Sequence, residues 1–180
     1  MISSNLSKLF KNVKLLVSDV DGVLTDGKLL ISSDNTESKF FSVEDATGVA
    51  LAEYAKLPIA LISGRYSNTT EIRAKELKIK YCYQGVLDKK NKLFELLKIY
   101  NVTLDEVAYI GDSLVDVPVL EIVGCPISVP NGHQLAKKKA LFITEKIGGE
   151  GVLFEIIEKI LLEQGKYEKI LELMKNERFS

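Results

Sequence analysis

Leu15–Gly27 reads LLVSDVDGVLTDG, an apolar run that ends in two carboxylates. The run begins at Val13 and Lys14 and continues through Leu15, Leu16 and Val17. Short apolar stretches of this kind, without alternation, belong to strands buried on both faces of a sheet. Asp19 and Asp21 follow, with Gly22 and Gly27 beyond them. Residues two apart on an extended segment point the same way. A bend at Gly22 gives each carboxylate its own place at the strand's carboxyl end, the edge where open α/β sheets bind ligands. Two carboxylates gathered there repel one another and lose hydration, and a divalent cation relieves both. Taken alone, the stretch fits equally well a strand followed by an ordinary Asp-Gly turn.

The rest of the chain narrows the choice. Its 180 residues are 46% hydrophobic with 4 prolines, enough to bury one substantial core in a single domain spanning 1–180. With 24 basic against 25 acidic residues the net charge is -1, which leaves no basic field for nucleic acid or an anionic membrane. An anionic ligand has to be gripped locally. Cys82 and Cys125 lie in or beside apolar segments with no partner at metal-ligand spacing, so they read as reduced core thiols rather than a disulfide. The opening MISSNLSKLFKN lacks a long apolar core and a small-residue cleavage site, and no apolar run reaches membrane-spanning length. The expectation is a soluble cytoplasmic protein without a membrane partner.

Beyond the first strand, Lys28–Ser42 reads as two extended segments, KLLIS and SKFFS, around an SDNTE turn, a β-hairpin. Val43–Lys56 carries Val49, Leu51, Ala52 and Ala55 at helical spacing and stops before Pro58. A second buried strand, PIALI at 58–62, runs into Ser63-Gly64-Arg65, and Asn68 with Glu71 forms a capping pair for a helix to about Leu77. Tyr81–Tyr83 is a short strand, followed by a helix from about Asp88 to Tyr100. Thr103 and Glu106 suit a capping box before the buried strand VAYI at 107–110, which also ends in Gly-Asp. A short helix around 115–123, a strand at 126–129, a turn at Asn131-Gly132, a short helix through Lys137 and a strand at 141–144 follow. After GGEG at 148–151 the chain is amphipathic helix over about 152–175, interrupted near Gly165. Helices alternating with short apolar strands predict an α/β fold, a Rossmann-like three-layer sandwich with a mostly parallel sheet covered on both faces.

Three of these strands end in polar groups: Asp19 and Asp21, then Ser63, then Asp112 with Asp116. In a parallel sheet those ends share one edge, and Lys89 opens a helix between the second and third. Carboxylates, a hydroxyl and an ammonium together suit Mg²⁺, which takes oxygen ligands and needs few carboxylates beside a substrate phosphate. Zinc does not fit, because the lone histidine, His133, falls in a turn where a solvated place is expected. A signalling receiver domain also gathers acids, a hydroxyl and a lysine at one edge. It requires a lone phosphoacceptor Asp on a separate strand, and no suitable Asp ends 58–62.

The DVDGVLTDG run, the Ser63-Gly64-Arg65 strand end, Lys89 in GVLDK and the GDSLVD segment, in that order, resemble the four motifs of the haloacid dehalogenase superfamily of phosphatases. The likeness is closer to the small capless branch that contains the 3-deoxy-D-manno-octulosonate 8-phosphate phosphatases, and it extends through the YQG, GGEG and EQGK segments. The resemblance implies a HAD-like fold without a cap domain. It also implies a Mg²⁺-dependent phosphomonoesterase acting on a phosphorylated keto sugar acid, in that branch the octulosonate (KDO) 8-phosphate of lipopolysaccharide biosynthesis. Asp19 would be nucleophile and metal ligand. Asp21 would serve as general acid and then base, lending its backbone carbonyl to the metal, with Asp112 as the further ligand. Ser63, Gly64 and Lys89 would hold the phosphoryl group, while Asp116 would orient a metal-bound water. Thr25 and Arg65 fall on the substrate side. The resemblance further implies a homotetramer in which the hairpin, about 28–42, closes the site, and Leu29, Ile31, Phe40 and Phe41 exceed what a lone hairpin can shelter.

Plainer uses stand beside these. Ser63 could cap its own loop, Lys89 could be a solvated lysine in a first helical turn, Arg65 could lie at the surface, and the hairpin could pack within its own chain. The sequence also departs from the branch. Asp45-Ala46-Thr47-Gly48-Val49 stands where relatives carry DGxGI, and Phe154 replaces an arginine, removing one contact to an anionic sugar. A nine-carbon keto acid phosphate, of the KDN or sialic acid type, is therefore the nearest rival substrate. A phosphatase-like assembly subunit without catalysis is another alternative.

Overall fold

The computed structural model describes residues 4–178. In chain order they form α1 (Ser4–Lys11), β1 (Leu15–Ser18), β2 (Leu30–Ile31), β3 (Glu37–Ser38), α2 (Val43–Ala55), β4 (Ile59–Ile62), α3 (Asn68–Glu76), β5 (Tyr81–Tyr83) and α4 (Lys89–Tyr100). Then come β6 (Val107–Ile110), α5 (Val117–Leu120), β7 (Cys125–Ser128), α6 (Gln134–Lys139), β8 (Phe142–Ile143), α7 (Val152–Glu163) and α8 (Tyr167–Arg178).

Six strands make one sheet in the order β5-β4-β1-β6-β7-β8, every neighbouring pair parallel. The chain winds outward from β1 on one side through β4 and β5, then returns to its other flank for β6, β7 and β8. The order therefore reverses between β1 and β6, and the carboxyl ends of those two strands border the crevice where such sheets bind ligands. The α/β sandwich expected from the strand runs is the fold the chain adopts.

Burial explains why the strand sequences do not alternate. Successive side chains of a strand face opposite ways, and here both faces are covered. Leu16, Ile59, Leu61, Ala108, Ile110 and Ile127 meet residues of α1, α2, α3, α7 and α8 on one face. Leu15, Val17, Ala60, Ile62, Val107 and Tyr109 meet Leu93, Leu96, Val119, Leu120 and Ala136 of α4, α5 and α6 on the other. In α7, Val152, Leu153, Ile156, Ile157, Ile160 and Leu161 are all buried, each worth about 1.5–3 kcal/mol of removal from water.

Local chemistry sets most boundaries as expected. Lys56 ends α2 in the left-handed region, and Thr103 and Glu106 form the capping box before β6. Two expectations are corrected. Ser67, not Asn68, caps α3, its hydroxyl accepting from the Thr70 N–H, while Glu71 turns to Lys75 and Tyr66. The short helix at 115–123 is a 3₁₀ turn, Leu114–Asp116, continued by the four residues of α5. The opening helix α1 was not anticipated by the pattern reading. It is anchored by Phe10, whose ring meets Phe142 edge-on at 5.3 Å.

The hairpin is shorter than KLLIS and SKFFS suggest, with Leu30 paired to Ser38 and Ile31 to Glu37. Asn35, at φ 63°, turns the chain while Asp34 accepts from the Thr36 N–H. Of its apolar residues only Phe41 packs on the chain's own core; Phe40 is 78% exposed and Ile31 61%. Cys82 and Cys125 are both free thiols, and His133 is exposed, its Nδ1 accepting from the Leu135 N–H at the start of α6.

Candidate active site

Asp19 follows directly on β1, and the sheet's hydrogen bonding reaches it, since its N–H donates to the Ile110 carbonyl at 2.9 Å. Its side chain is buried. Oδ1 accepts from the Val20 N–H at 2.7 Å and from Lys89 Nζ at 2.9 Å. Lys89 is the first residue of α4, which Asp88 caps, and its ammonium also donates to Asp116 Oδ1 at 2.7 Å. A lysine in a first helical turn opposes the helix dipole. Two buried carboxylates compensate that here, so the solvated alternative for Lys89 does not hold: the residue is 1% exposed.

Asp116 has both oxygens engaged. Besides Lys89, Oδ1 accepts from Tyr109 Oη at 2.6 Å; Oδ2 accepts from Ser113 Oγ at 2.7 Å and from the N–H groups of Ser113 and Asp112 at 2.9 and 3.2 Å. Asp112 is the opposite case. Its Oδ1 is a buried oxygen with no hydrogen-bond partner. The carboxylate lies against Gly22, where an added Cβ would meet Asp112 Oδ2 at 2.2 Å, and Gly22 itself sits at φ 91°. Only glycine suits both demands.

Electrostatics separates these acids. Burial raises the Asp19 pKa well above the ordinary value, the charge of Asp116 adds to it, and Lys89 offsets part. Burial, then Asp116, raises Asp112 to about 6. Asp116 is buried too, yet the Lys89 charge and its hydrogen bonds hold it below the usual carboxylate range. Tyr109 is pushed up by burial and by Asp116, and so remains a hydroxyl donor. Asp116 is thus a fixed anion, while Asp19 and Asp112 lack the positive charge that would keep them both ionised. One oxygen from each of Asp19, Asp112 and Asp116 falls within 4.8 Å of the others. With Asp116 saturated by five donors, Asp19 and Asp112 are the carboxylates with capacity for a cation. An all-oxygen donor set with an orphaned oxygen suits a hard divalent ion such as Mg²⁺.

The remaining expected residues surround this centre. Asp21 is partly exposed; Oδ1 accepts from Lys39 Nζ at 2.6 Å, and Oδ2 is buried without a partner. Ser63 is buried at the end of β4, its N–H donating to the Tyr83 carbonyl, its Oγ accepting from the Arg65 N–H at 3.2 Å and donating to the Arg65 carbonyl at 2.9 Å. That hydroxyl therefore also performs the loop-capping use. Gly64 is half-buried beside it, and Arg65 reaches Glu37 of the hairpin. Thr25 is buried, its Oγ1 accepting from the N–H groups of Gly22 and Gly27 at 3.3 and 3.2 Å, so its oxygen holds the loop together.

Three side chains that the sequence reading passed over complete the surroundings. Lys39 is buried against Asp21, and Glu37 accepts from Ser67 Oγ at 2.6 Å as well as from Arg65. Asn131 joins two loops, its Nδ2 donating to the Gly22 carbonyl at 3.2 Å and its Oδ1 accepting from the Gly148 N–H at 2.8 Å. A Cβ on Gly148 would lie 1.9 Å from the Gly22 oxygen, which is why the GGEG segment can approach so closely.

Residues 64–156 match a family model described as haloacid dehalogenase-like hydrolase. Over 168 residues, 93% of this chain and 89% of the relative, the chain is 35% identical to the 3-deoxy-D-manno-octulosonate 8-phosphate phosphatase of Escherichia coli K12. It is similar in structure to the phosphatase of that name from Moraxella catarrhalis, solved with magnesium, phosphate and KDO, at TM-score 0.91 and 36% identity over 96% of this chain and 99% of the other. The cobalt-bound deoxy-D-mannose-octulosonate 8-phosphate phosphatase of Haemophilus influenzae gives TM-score 0.84 and 34% identity, over 88% and 93% of the two chains.

Proposed function

We propose, on the premise that this chain belongs to the haloacid dehalogenase-like hydrolase family, that it hydrolyses KDO 8-phosphate to KDO and phosphate with Mg²⁺. The chain is a phosphatase of that family. The carrying observation for the chemistry is the buried acid pair, Asp19 and Asp112, with an orphaned Asp112 oxygen beside the nucleophile position. The substrate assignment rests on the relatives, which are 3-deoxy-D-manno-octulosonate 8-phosphate phosphatases, and on their likeness along nearly the whole chain.

Asp19, Asp112 and the backbone carbonyl of Asp21 would hold Mg²⁺. The ion supplies positive charge that lets a dianionic phosphomonoester approach a carboxylate. Asp19 attacks phosphorus in line; the bond from phosphorus to the sugar oxygen breaks and an aspartyl-phosphate forms. Asp21 gives its proton to the departing alkoxide. It then takes one from the water that attacks the aspartyl-phosphate, releasing orthophosphate and restoring Asp19. Lys89 neutralises Asp19 and the phosphoryl oxygens from behind, while Ser63 and the N–H of Gly64 bind those oxygens from the β4 side. Asp116, held by five donors, fixes Lys89 and the 112–113 backbone. Arg65, held by Glu37, would meet the sugar, whereas Thr25, buried with its Oγ1 on the Gly22 and Gly27 N–H groups, would brace the loop rather than touch substrate.

The whole chain serves as one catalytic unit, with the 28–42 hairpin as its cover and the 152–175 helical segment completing the fold. Leu30, Ile31, Phe40 and Val43 are exposed apolar side chains on and beside that hairpin, and their exposure supports a homotetramer that would bury them. The free thiols fit a cytoplasmic enzyme of lipopolysaccharide synthesis.

Phosphate release from KDO 8-phosphate, a nine-carbon keto acid 9-phosphate and a hexose 6-phosphate, each with and without Mg²⁺, tests the reading. Light scattering on the same sample should give four copies. Preference for the eight-carbon acid, abolished in Asp19→Asn, is expected. Preference for the hexose, or full activity in Asp19→Asn, overturns it.

A further inference from the structure

Lys39 follows the hairpin's second strand and is buried. Its side chain is 0% exposed, while the next residue, Phe40, is left 78% exposed. Lysines are almost never fully buried unless paired, and burying an ammonium carries a desolvation penalty of several kcal/mol. Anchoring a hairpin needs no such charge, since Phe41 already packs on the core. The ammonium is instead aimed at one atom, Asp21 Oδ1, at 2.6 Å. Thr70 Oγ1 at 3.3 Å, from α3, and Glu37 Oε1 at 3.7 Å hold it there. Glu37 is itself tied to the Ser67 hydroxyl at 2.6 Å, and its carbonyl accepts from Thr69 Oγ1 at 3.1 Å. The lysine is thus referenced to the body of the protein through α3, not only to the hairpin.

The other oxygen of Asp21, Oδ2, is buried and has no partner. The two oxygens are unlike: one is clamped, the other free. We propose that Lys39 is a positioning residue that fixes the Asp21 carboxyl through Oδ1, so that Oδ2 is the oxygen that hands the proton to the leaving alkoxide. This rests on the phosphatase reading above. Asp19 and Asp21 then each meet a buried ammonium, Asp19 that of Lys89, which it shares with Asp116, and Asp21 that of Lys39, arriving from α4 and from the hairpin. A hairpin that supplies Lys39 docks the cover and orients the acid in one event. Proton transfer depends on hydrogen-bond geometry, and a positioned acid contributes about 10²–10⁴ in rate.

The test compares Lys39→Met, which keeps the stem and removes the cation, with wild type on two substrates. An alkyl phosphomonoester needs its leaving oxygen protonated; p-nitrophenyl phosphate does not, and its first turnover is read as a burst of p-nitrophenolate. The expected result is a fall of about 50-fold or more in single-turnover rate for the alkyl ester. The p-nitrophenolate burst rate and the calorimetric Mg²⁺ affinity should each stay within about threefold of wild type. Equal losses on both substrates, or an unchanged alkyl rate, overturn the proposal. If Lys39→Met melts below the assay temperature, Lys39→Arg is measured instead. Retention of the alkyl-to-aryl rate ratio within about fivefold supports positioning by a cation, and its collapse refutes it. Absence of any Mg²⁺-dependent turnover in wild type is a different outcome, and removes the phosphatase reading itself.

Discussion

Replacing Asp45 by asparagine should make the protein more stable at neutral pH, by an amount that vanishes in acid. Asp45 lies in the first turn of α2 and is 1% exposed; Oδ1 accepts from the N–H groups of Leu153 and Phe154 at 2.9 and 3.3 Å, and Oδ2 has no partner. Burial lifts its pKa from 3.8 to about 6, against the opposing pull of those two N–H bonds. At about 1.4 kcal/mol per pH unit, the folded state disfavours the ionised form by about 3 kcal/mol. The sign follows from proton binding. Between pH 3.8 and about 6 the native state holds a proton that the unfolded chain has released, so stability falls as pH rises through that window and levels off above it. The asparagine side chain keeps an oxygen for the α7 N–H groups and has no charge to desolvate. Urea unfolding of wild type and Asp45→Asn at steps from about pH 4 to about pH 8 should give similar stabilities at the acid end. A gap in favour of the variant should open to about 2–3 kcal/mol near pH 7. A gap independent of pH, or one in which wild type gains with rising pH, would refute the reasoning.

Gly22→Ala should abolish calorimetric Mg²⁺ binding and phosphate release together, because the new methyl collides with Asp112 Oδ2 and a φ of 91° costs an alanine about 1–2 kcal/mol besides. Wild-type Mg²⁺ affinity in such a variant would refute that. Chelating the metal should lower the melting temperature at about pH 8 and do so progressively less as pH falls towards about 5. With Asp112 raised to about 6, protons replace the cation in that range. A metal effect that grows in acid would contradict this electrostatic picture of the site.

The strands were legible because LLVS, IALI and VAYI are each too short and too apolar to be anything but sheet interior, and both their faces are indeed covered. The acids at their ends were legible because a parallel sheet delivers successive strand ends to one edge. Lys39 was not. Beside Phe40 and Phe41 it reads as the solvent-facing member, and only α3, about thirty residues on, supplies the Thr70 contact that makes burial tolerable. Tyr109 reads as core and is core, but its hydroxyl reaches Asp116. Asn131 reads as a turn residue, and nothing local marks an amide whose partners are Gly22 and Gly148. Ser67 and Asn68 are both good caps, and which one closes α3 depends on where the loop from β4 sets the chain down.

The amide of Asn131 also bears on the order in which the molecule is made. The DxD strand leaves the ribosome early, but its loop is held by Asn131 to the Gly22 carbonyl and by the Gly149 N–H to the Val23 carbonyl. Strand β1 itself needs β4 and β6 on its flanks. The two loop contacts join segments more than a hundred residues apart, the kind that form late because their loops must close first. A nascent chain therefore carries Asp19 through most of synthesis without a finished floor beneath it. That floor is complete only when the segment around Gly148 has emerged and packed against the first loop.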